Sequence, residues 1–351
     1  MQGVETILIS PDGVLAQLPW DALPGEKPGT YLLEDLALAV IPVLQMLPSL
    51  LGTERRVGLP ESLLLARDIE YGGDPGQPQD ILAKRDAAGR LRDGRMNPFS
   101  KLPAAQAEMT SIKVRYERAI RNSKQHGTVE PLGEGKATEI AFREQAAKHQ
   151  WLHVITHGCF APETVRSAKR STGLERDNLF QPVKPRPVQG EYPGLLSGLA
   201  FAGANTPPEP EKDDGILTAL EVAALDLNQV DAVVQSSCET GLGSVAGGEG
   251  LLGLQRAFQV SGARTVVASL WKVPDAPTAC LMQRFYENLW DKQMSKLETL
   301  REVQLWMLKE GARATDGAGE RGIIFVESQP PIGDGLLPYY WAAFVLSGDW
   351  R

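Results

Sequence analysis

Two short apolar stretches of this chain end in residues able to do nucleophilic chemistry. Val230, Ala232, Val233 and Val234 form a β-branched run that leads through Ser236 and Ser237 to Cys238, the composition of a buried strand. Trp151-Leu152-His153-Val154-Ile155-Thr156 reads the same way and ends at His157-Gly158. The thiolate is the reactive form of cysteine, and a neighbouring imidazole lowers the thiol pKa from about 8.5. A thiol and an imidazole at adjacent strand tips would make a nucleophile and its base. Beyond Cys238 a glycine-rich turn (Gly241, Gly243, Gly247, Gly248, Gly250) opens an apolar periodic segment at Leu251. Carboxyl strand ends that face such loops are where α/β sheets place their chemistry.

Each residue also has a blander reading. A free cysteine is often a small buried apolar group, and a histidine after a strand is often a hydrogen-bonded structural residue. Ser236, Ser237, Glu239 and Thr240 are polar company for a core thiol, and that favours the reactive reading. Gly158 adds to it. With no Cβ it lets a carbonyl come close, and its N–H can join that of Cys238 as an oxyanion donor. His153 lies four residues before His157 on the same strand face, so it is expected to face the core or to support the site. His126 and His149 sit in polar or helical context.

Three other chemistries are set aside. The run HVITH lacks the glutamate of a zinc helix and is β-branched, and Cys159, Cys238 and Cys280 have no ligand spacing, so neither metal nor cofactor is expected. Gly248-Glu-Gly-Leu-Leu-Gly253 fits GxGxxG with Asp275 beyond it, the mark of a dinucleotide-binding oxidoreductase. That fingerprint needs a strand running straight into its first glycine, whereas this one stops near Ser237. Neither GxxxxGK[ST] nor GxSxG occurs, which removes the main support for NTPase and serine hydrolase readings.

The elements that must hold these residues follow from periodicity and punctuation. Strands are expected over Thr6–Ile9, Leu36–Val40, Ser62–Ala66, Leu195–Ala202, Arg264–Leu270, Ile323–Val326 and Trp341–Leu346, besides the two above. Helices are expected over Val43–Leu51, Ala104–Ile120, Ala137–Lys148, Leu251–Ser261 and from Pro274 to Trp290. Thr218…Glu221 and Ser295…Glu298 are capping boxes that open two more, the second ending near Gly311. Strands alternating with helices predict one layered α/β domain over residues 1–351. The abrupt start on a strand suggests a C-terminal piece of a longer chain. Residues 77–101, 161–192 and 312–338 read as loop insertions; the second is basic, a solvated loop or a segment that meets a partner.

Composition bounds the rest. The chain has 351 residues, 42% hydrophobic and 23% charged, with net charge −8 and three cysteines. That is ordinary for a globular protein. The acidic balance argues against a nucleic-acid surface, and three unpaired cysteines suit a reducing cytoplasm. No apolar run is long enough for a bilayer.

The stretches SPDGVLAQLPWDALPG from Ser10, WLHVITHG from Trp151, LSGLAFAG from Leu196, DGILTALEVAALDL from Asp214, VQSSCETGLG from Val234, GEGLLGLQRAFQVSGARTVVASLWKV from Gly248 and YWAAFVLSGDW from Tyr340 resemble the CHAT domain. That is the caspase-like protease module of bacterial proteins often joined to tetratricopeptide repeats. They run in family order over nearly the whole chain. The resemblance implies a caspase-like three-layer α/β/α sandwich with a mixed, mostly parallel central sheet. His157 would be the histidine of the THG motif. Cys238 would be the nucleophile of SACETG, written here SSCETG. Gly158 and the Cys238 amide would form the oxyanion hole. It implies a cysteine endopeptidase acting on protein substrates, with a regulatory repeat domain or partner subunit; a catalytically silent scaffold is the alternative. Glu239, Asp213, Asp214 and Glu249 are the acidic candidates for a pocket that selects a basic residue before the cut.

Overall fold

The computed structural model describes residues 5–11, 15–16, 18–52, 59–72, 99–160, 197–206, 213–236, 249–271, 273–316 and 336–351. The expected strand at Ile323–Val326 and nearly all of the expected insertions lie outside them. Strands β1 (Thr6–Ile9), β2 (Ala37–Val40), β3 (Ser62–Ile69), β4 (Thr128–Glu134), β5 (Trp151–Val154), β9 (Ala232–Gln235), β10 (Thr265–Ser269) and β11 (Phe344–Gly348) make one sheet. Its order is β1-β2-β11-β10-β9-β5-β3-β4. Only the β10–β11 pair is antiparallel, so β10, β9, β5, β3 and β4 run one way and β11, β2 and β1 the other. Strands from the two ends of the sequence share this sheet.

The sheet is buried on both faces, which is why its central strands read as continuous apolar runs. Alternate residues enter opposite cores. Leu63, Leu65, Trp151, Ala232, Val234 and Val267 point into one, completed by α3 (Ala105–Ser123), α7 (Asp275–Tyr286) and α8 (Lys296–Asp316). Leu64, Ala66, Leu152, Val154, Val233 and Val266 point into the other, with α4 (Glu139–Ala146), α5 (Ala219–Ala223) and α6 (Glu249–Val260). Against the second face lies a smaller antiparallel sheet, β6 (Gly158–Phe160), β7 (Ser197–Ala200) and β8 (Ile216–Thr218). This is a three-layer α/β/α sandwich with a mixed, mostly parallel sheet, as the resemblance implies. No helix among the described residues is long and apolar enough to cross a membrane.

Local chemistry explains most boundaries. Thr218 accepts from the backbone N–H of Glu221 while Glu221 accepts from that of Thr218, and Ser295 and Glu298 do the same, so both capping boxes form. Some elements differ from the sequence expectation. The chain forms a short helix, α9, over Pro338–Trp341 before β11 starts at Phe344; Pro338 suits a first helical turn, where no N–H is needed. Helix α8 continues through Gly311 to Asp316. A Cβ on Gly311 would lie 2.7 Å from Leu336 Cδ1, so that glycine admits a close neighbour rather than ending the helix. The edge strand β4 was not expected at all; it contains Pro131 and Gly133, residues that a sheet edge tolerates and that mask a strand in sequence.

His153 faces the first core, fully buried, with Nδ1 2.9 Å from Tyr286 Oη and Nε2 2.8 Å from Glu108 Oε1. Burial first, then the Glu108 carboxylate, raise the Tyr286 pKa well above 10. The phenol therefore donates to Nδ1, and the Nε2–H donates to Glu108. This bridge ties β5 to α3 and α7 across the layer that carries the next residues.

Candidate active site

β5 and β9 are parallel neighbours, in register at Trp151↔Ala232 through Val154↔Gln235. The β5–β9 pairing holds one step past the strands, where Ser236 N donates to Val154 O at 2.9 Å, and on the other side of β5 Ile155 N donates to Ala66 O of β3 at 2.8 Å. The two segments therefore reach the carboxyl edge of the sheet side by side, one ending in His157 and the other described as far as Ser236. Cys238 itself lies outside the described residues, two positions beyond Ser236.

His157 is held by one hydrogen bond and two ring contacts. Its Nε2 donates to the Ser100 carbonyl at 2.6 Å. A hydrogen on Nε2 leaves the neutral ring's lone pair on Nδ1. Phe99 stacks on the ring at 5.5 Å and 24°, and Tyr71 packs against it at 5.1 Å and 48°. Tyr71 Oη reaches Thr156 Oγ1 at 3.1 Å, and that hydroxyl donates to the Ala200 carbonyl. The imidazole has no solvent exposure.

The backbone passes from His157 directly into β6. Ala200 N donates to His157 O at 2.9 Å, and Gly158 pairs with Leu199 in the next register position. Hydrogen-bonded and non-hydrogen-bonded pairs alternate in an antiparallel ladder, so the Gly158 N–H points away from β7.

The CHAT domain model matches residues 1–349. The chain belongs to the CHAT domain family. Among solved structures, the CHAT chain is similar to the Arg-specific cysteine proteinase gingipain R at 10% identity, over 94% of this chain and 58% of that one, with a TM-score of 0.49. It is similar to separase in the Saccharomyces cerevisiae separase–securin complex at 12% identity, over 95% and 14%, with a TM-score of 0.44. It is also similar to the complex of pro- and mature domains of Porphyromonas gingivalis RgpB at 9% identity, over 99% and 65%, with a TM-score of 0.48. The CHAT chain spans less than two thirds of the length of each. Comparison with curated proteins finds no match.

The acidic candidates are placed unevenly in the CHAT fold. Glu239 lies outside the described residues, and Glu249 opens α6. Asp213 accepts from Ile140 N at 3.1 Å, at the start of α4, and from Gly215 N at 2.9 Å. Asp214 accepts from Ile216 N at 2.9 Å. Both are thus engaged by backbone donors beside β8. Asp213, Asp214 and Glu139 offer oxygens within 4.8 Å of one another. Burial, then the hydrogen bond and charge of Asp213, then the charge of Glu221, push Glu139 up to about 8. Burial opposes ionisation of Asp213 too, but hydrogen bonds from Glu139 and from the Gly215 and Ile140 amides hold it below its usual range. The cluster is a shared proton plus two backbone caps.

This pair makes stability depend on pH. Glu139 keeps a proton in the fold up to about 8 that it releases near 4.5 when unfolded, so its contribution is complete below the lower value and lost as pH rises through the higher one. Burial likewise holds Asp21 up to about 7, with the same sign. Asp213 contributes oppositely, losing stability as pH falls below 3.8. The melting temperature is expected to fall as pH rises from about 5 to about 8. Glu139→Gln should flatten that slope, leaving the part due to Asp21, as scanning calorimetry across pH would show.

Gln235 is the other polar feature. It closes β9, is fully buried, and neither its Oε1 nor its Nε2 has a hydrogen-bond partner among the described residues. An unmade buried hydrogen bond costs about 1–3 kcal/mol. Gln235→Leu, of similar size, is therefore expected to raise the unfolding free energy by about 1–2 kcal/mol in urea titration.

Phe99 and Ser100 are among the site residues that sequence reasoning missed. They fall at the end of the 77–101 stretch, which matched no family pattern, yet they supply the ring stack and the carbonyl that fix His157. An aromatic beside a serine just before a helix was the only local signal.

Proposed function

We propose that this CHAT chain is a cysteine endopeptidase in which Cys238 is the nucleophile and His157 its proton-transfer partner. The observation that carries this reading is the hydrogen bond between His157 Nε2 and the Ser100 carbonyl. With Nε2–H committed to the Ser100 carbonyl, Nδ1 is the nitrogen able to accept a proton, and it belongs to a residue at the tip of the strand next to the one that leads to Cys238.

In this reading Nδ1 takes the Cys238 proton, and the thiolate attacks the scissile carbonyl carbon. Negative charge moves to the carbonyl oxygen, which the N–H groups of Gly158 and Cys238 stabilise. The C–N bond then breaks as His157 gives its proton to the leaving amine, and a thioester remains. Water, deprotonated by Nδ1, attacks the thioester and releases the acid and the thiol. The Ser100 carbonyl stabilises the imidazolium that forms in each half, because it accepts from the far nitrogen throughout. The absence of exposure at His157 requires an opening step before a peptide reaches it, a natural point of control for a repeat domain or partner subunit.

A basic residue before the cut would be read by acidic groups from the set Glu239, Asp213, Asp214 and Glu249. Asp213 and Asp214 would have to share their backbone donors, so Glu239 and Glu249 are the first to test. The alternative is a silent scaffold that binds partners, and the full burial of His157 is what favours it. Incubating wild type and Cys238→Ala with a positional peptide library separates the two. Cleavage by wild type alone supports the protease and reads out the preferred residue; no cleavage by either, under conditions that open the site, supports the scaffold.

A further inference from the structure

We infer that Asn205 is a positioning residue for His157, acting through the peptide of Phe99. This rests on the protease reading of His157 given above. Asn205 lies in the turn after β7, and its side chain does not cap that turn. Its Oδ1 accepts from Phe99 N at 2.7 Å and its Nδ2 donates to Phe99 O at 2.9 Å. A carboxamide that meets both the N–H and the C=O of one distant residue imitates a β-strand partner. Its own backbone N–H donates to Tyr71 O at 2.7 Å. One residue therefore ties the backbones of both aromatic residues that pack on the imidazole, Phe99 and Tyr71, whose rings also touch each other at 5.6 Å.

The consequence reaches the ring through the next peptide. Ser100, whose carbonyl takes the Nε2–H, directly follows Phe99. On its far side the segment is tied at Ala104, whose N–H donates to Asp275 at the start of α7. With both ends held, the Ser100 carbonyl has one position, and the imidazole has one tautomer. Release of the Asn205 end frees that carbonyl to swing, and the ring is then free to exchange its tautomers and turn its lone pair away from the thiol. The chemistry demands an amide: aspartate keeps the acceptor but has no N–H for Phe99 O, and alanine offers neither. Asn205 touches no substrate atom in this scheme.

The test uses the full chain with Asn205→Ala and Asn205→Asp. Nitrogen-15 NMR of the histidine rings reports the His157 tautomer whether or not the chain cleaves peptides. Wild type should show a single Nε2–H form, and both variants a mixture. Where peptide cleavage is present, kcat should fall about 10- to 100-fold in Asn205→Ala, with KM changed less than about threefold. The acid limb of its pH profile should shift as well, which loss of folded protein alone would not produce. If Asn205→Ala does not fold, Asn205→Asp decides, with a smaller fall expected. A folded variant that keeps the wild-type tautomer and turnover overturns the inference. Wild type that is inert toward every peptide yet shows the fixed tautomer, lost in the variants, would sink the protease reading and leave the positioning role standing.

Discussion

His157→Ala should cut peptide turnover by about 10²- to 10⁴-fold, the usual worth of a positioned general acid–base group. The loss should fall on kcat, because the imidazole moves protons in the transition state and does little to hold the ground-state peptide. Its pH profile should lose the limb that the imidazole sets. Removing a fully buried ring that packs against Phe99 and Tyr71 also leaves a cavity, so turnover must be normalised to folded protein, and a melting curve supplies that control. The double variant Cys238→Ala/His157→Ala should be no slower than Cys238→Ala alone, since residues of one catalytic unit are not additive.

The largest expected effect on stability lies four residues earlier, at His153 in β5. His153→Ala removes the group that engages both Glu108 and Tyr286 in a region with no access to water. Glu108 already has an Oε2 without a hydrogen-bond partner among the described residues; the substitution would strip Oε1 as well. Leaving buried polar groups without partners typically costs about 1–3 kcal/mol each, more for a charged one, so the loss of the partner of both Glu108 and Tyr286 sums to about 3–5 kcal/mol. We expect a loss of that size in urea unfolding at neutral pH. His153→Leu combined with Glu108→Leu should recover a good part of it, because both polar groups leave together. A loss below about 1 kcal/mol in His153→Ala would show that water reaches the bridge and that β5 is not anchored through it.

What the sequence displays of this molecule, and what it hides, divides along physical lines. The central strands were readable because burial on both faces writes itself as β-branched runs, as in Val230–Val234 and Trp151–Ile155. The two capping boxes were readable because their chemistry is complete within four residues. β4 was not, since an edge strand tolerates Pro131 and Gly133. Gly311 misled because a glycine chosen for close packing looks the same in sequence as one chosen to end a helix. The site shows the same division. His157 and Gly158 announce themselves by residue type at a strand end. Phe99, Ser100 and Asn205 do not, because their roles exist only across contacts such as the one between Asn205 and Phe99, 106 residues apart. The Ser100 contribution is a backbone carbonyl, which any residue could supply.

The most direct measurement is covalent trapping. A peptidyl acyloxymethyl ketone with a basic residue next to the reacting carbonyl is incubated with wild type, Cys238→Ala and His157→Ala, and adducts are mapped by mass spectrometry. A Cys238–His157 pair predicts one adduct on Cys238 in wild type, none in Cys238→Ala, and trapping slowed by at least about 10²-fold in His157→Ala. Labelling spread equally over Cys159, Cys238 and Cys280, or a Cys238 rate indifferent to loss of His157, would contradict it.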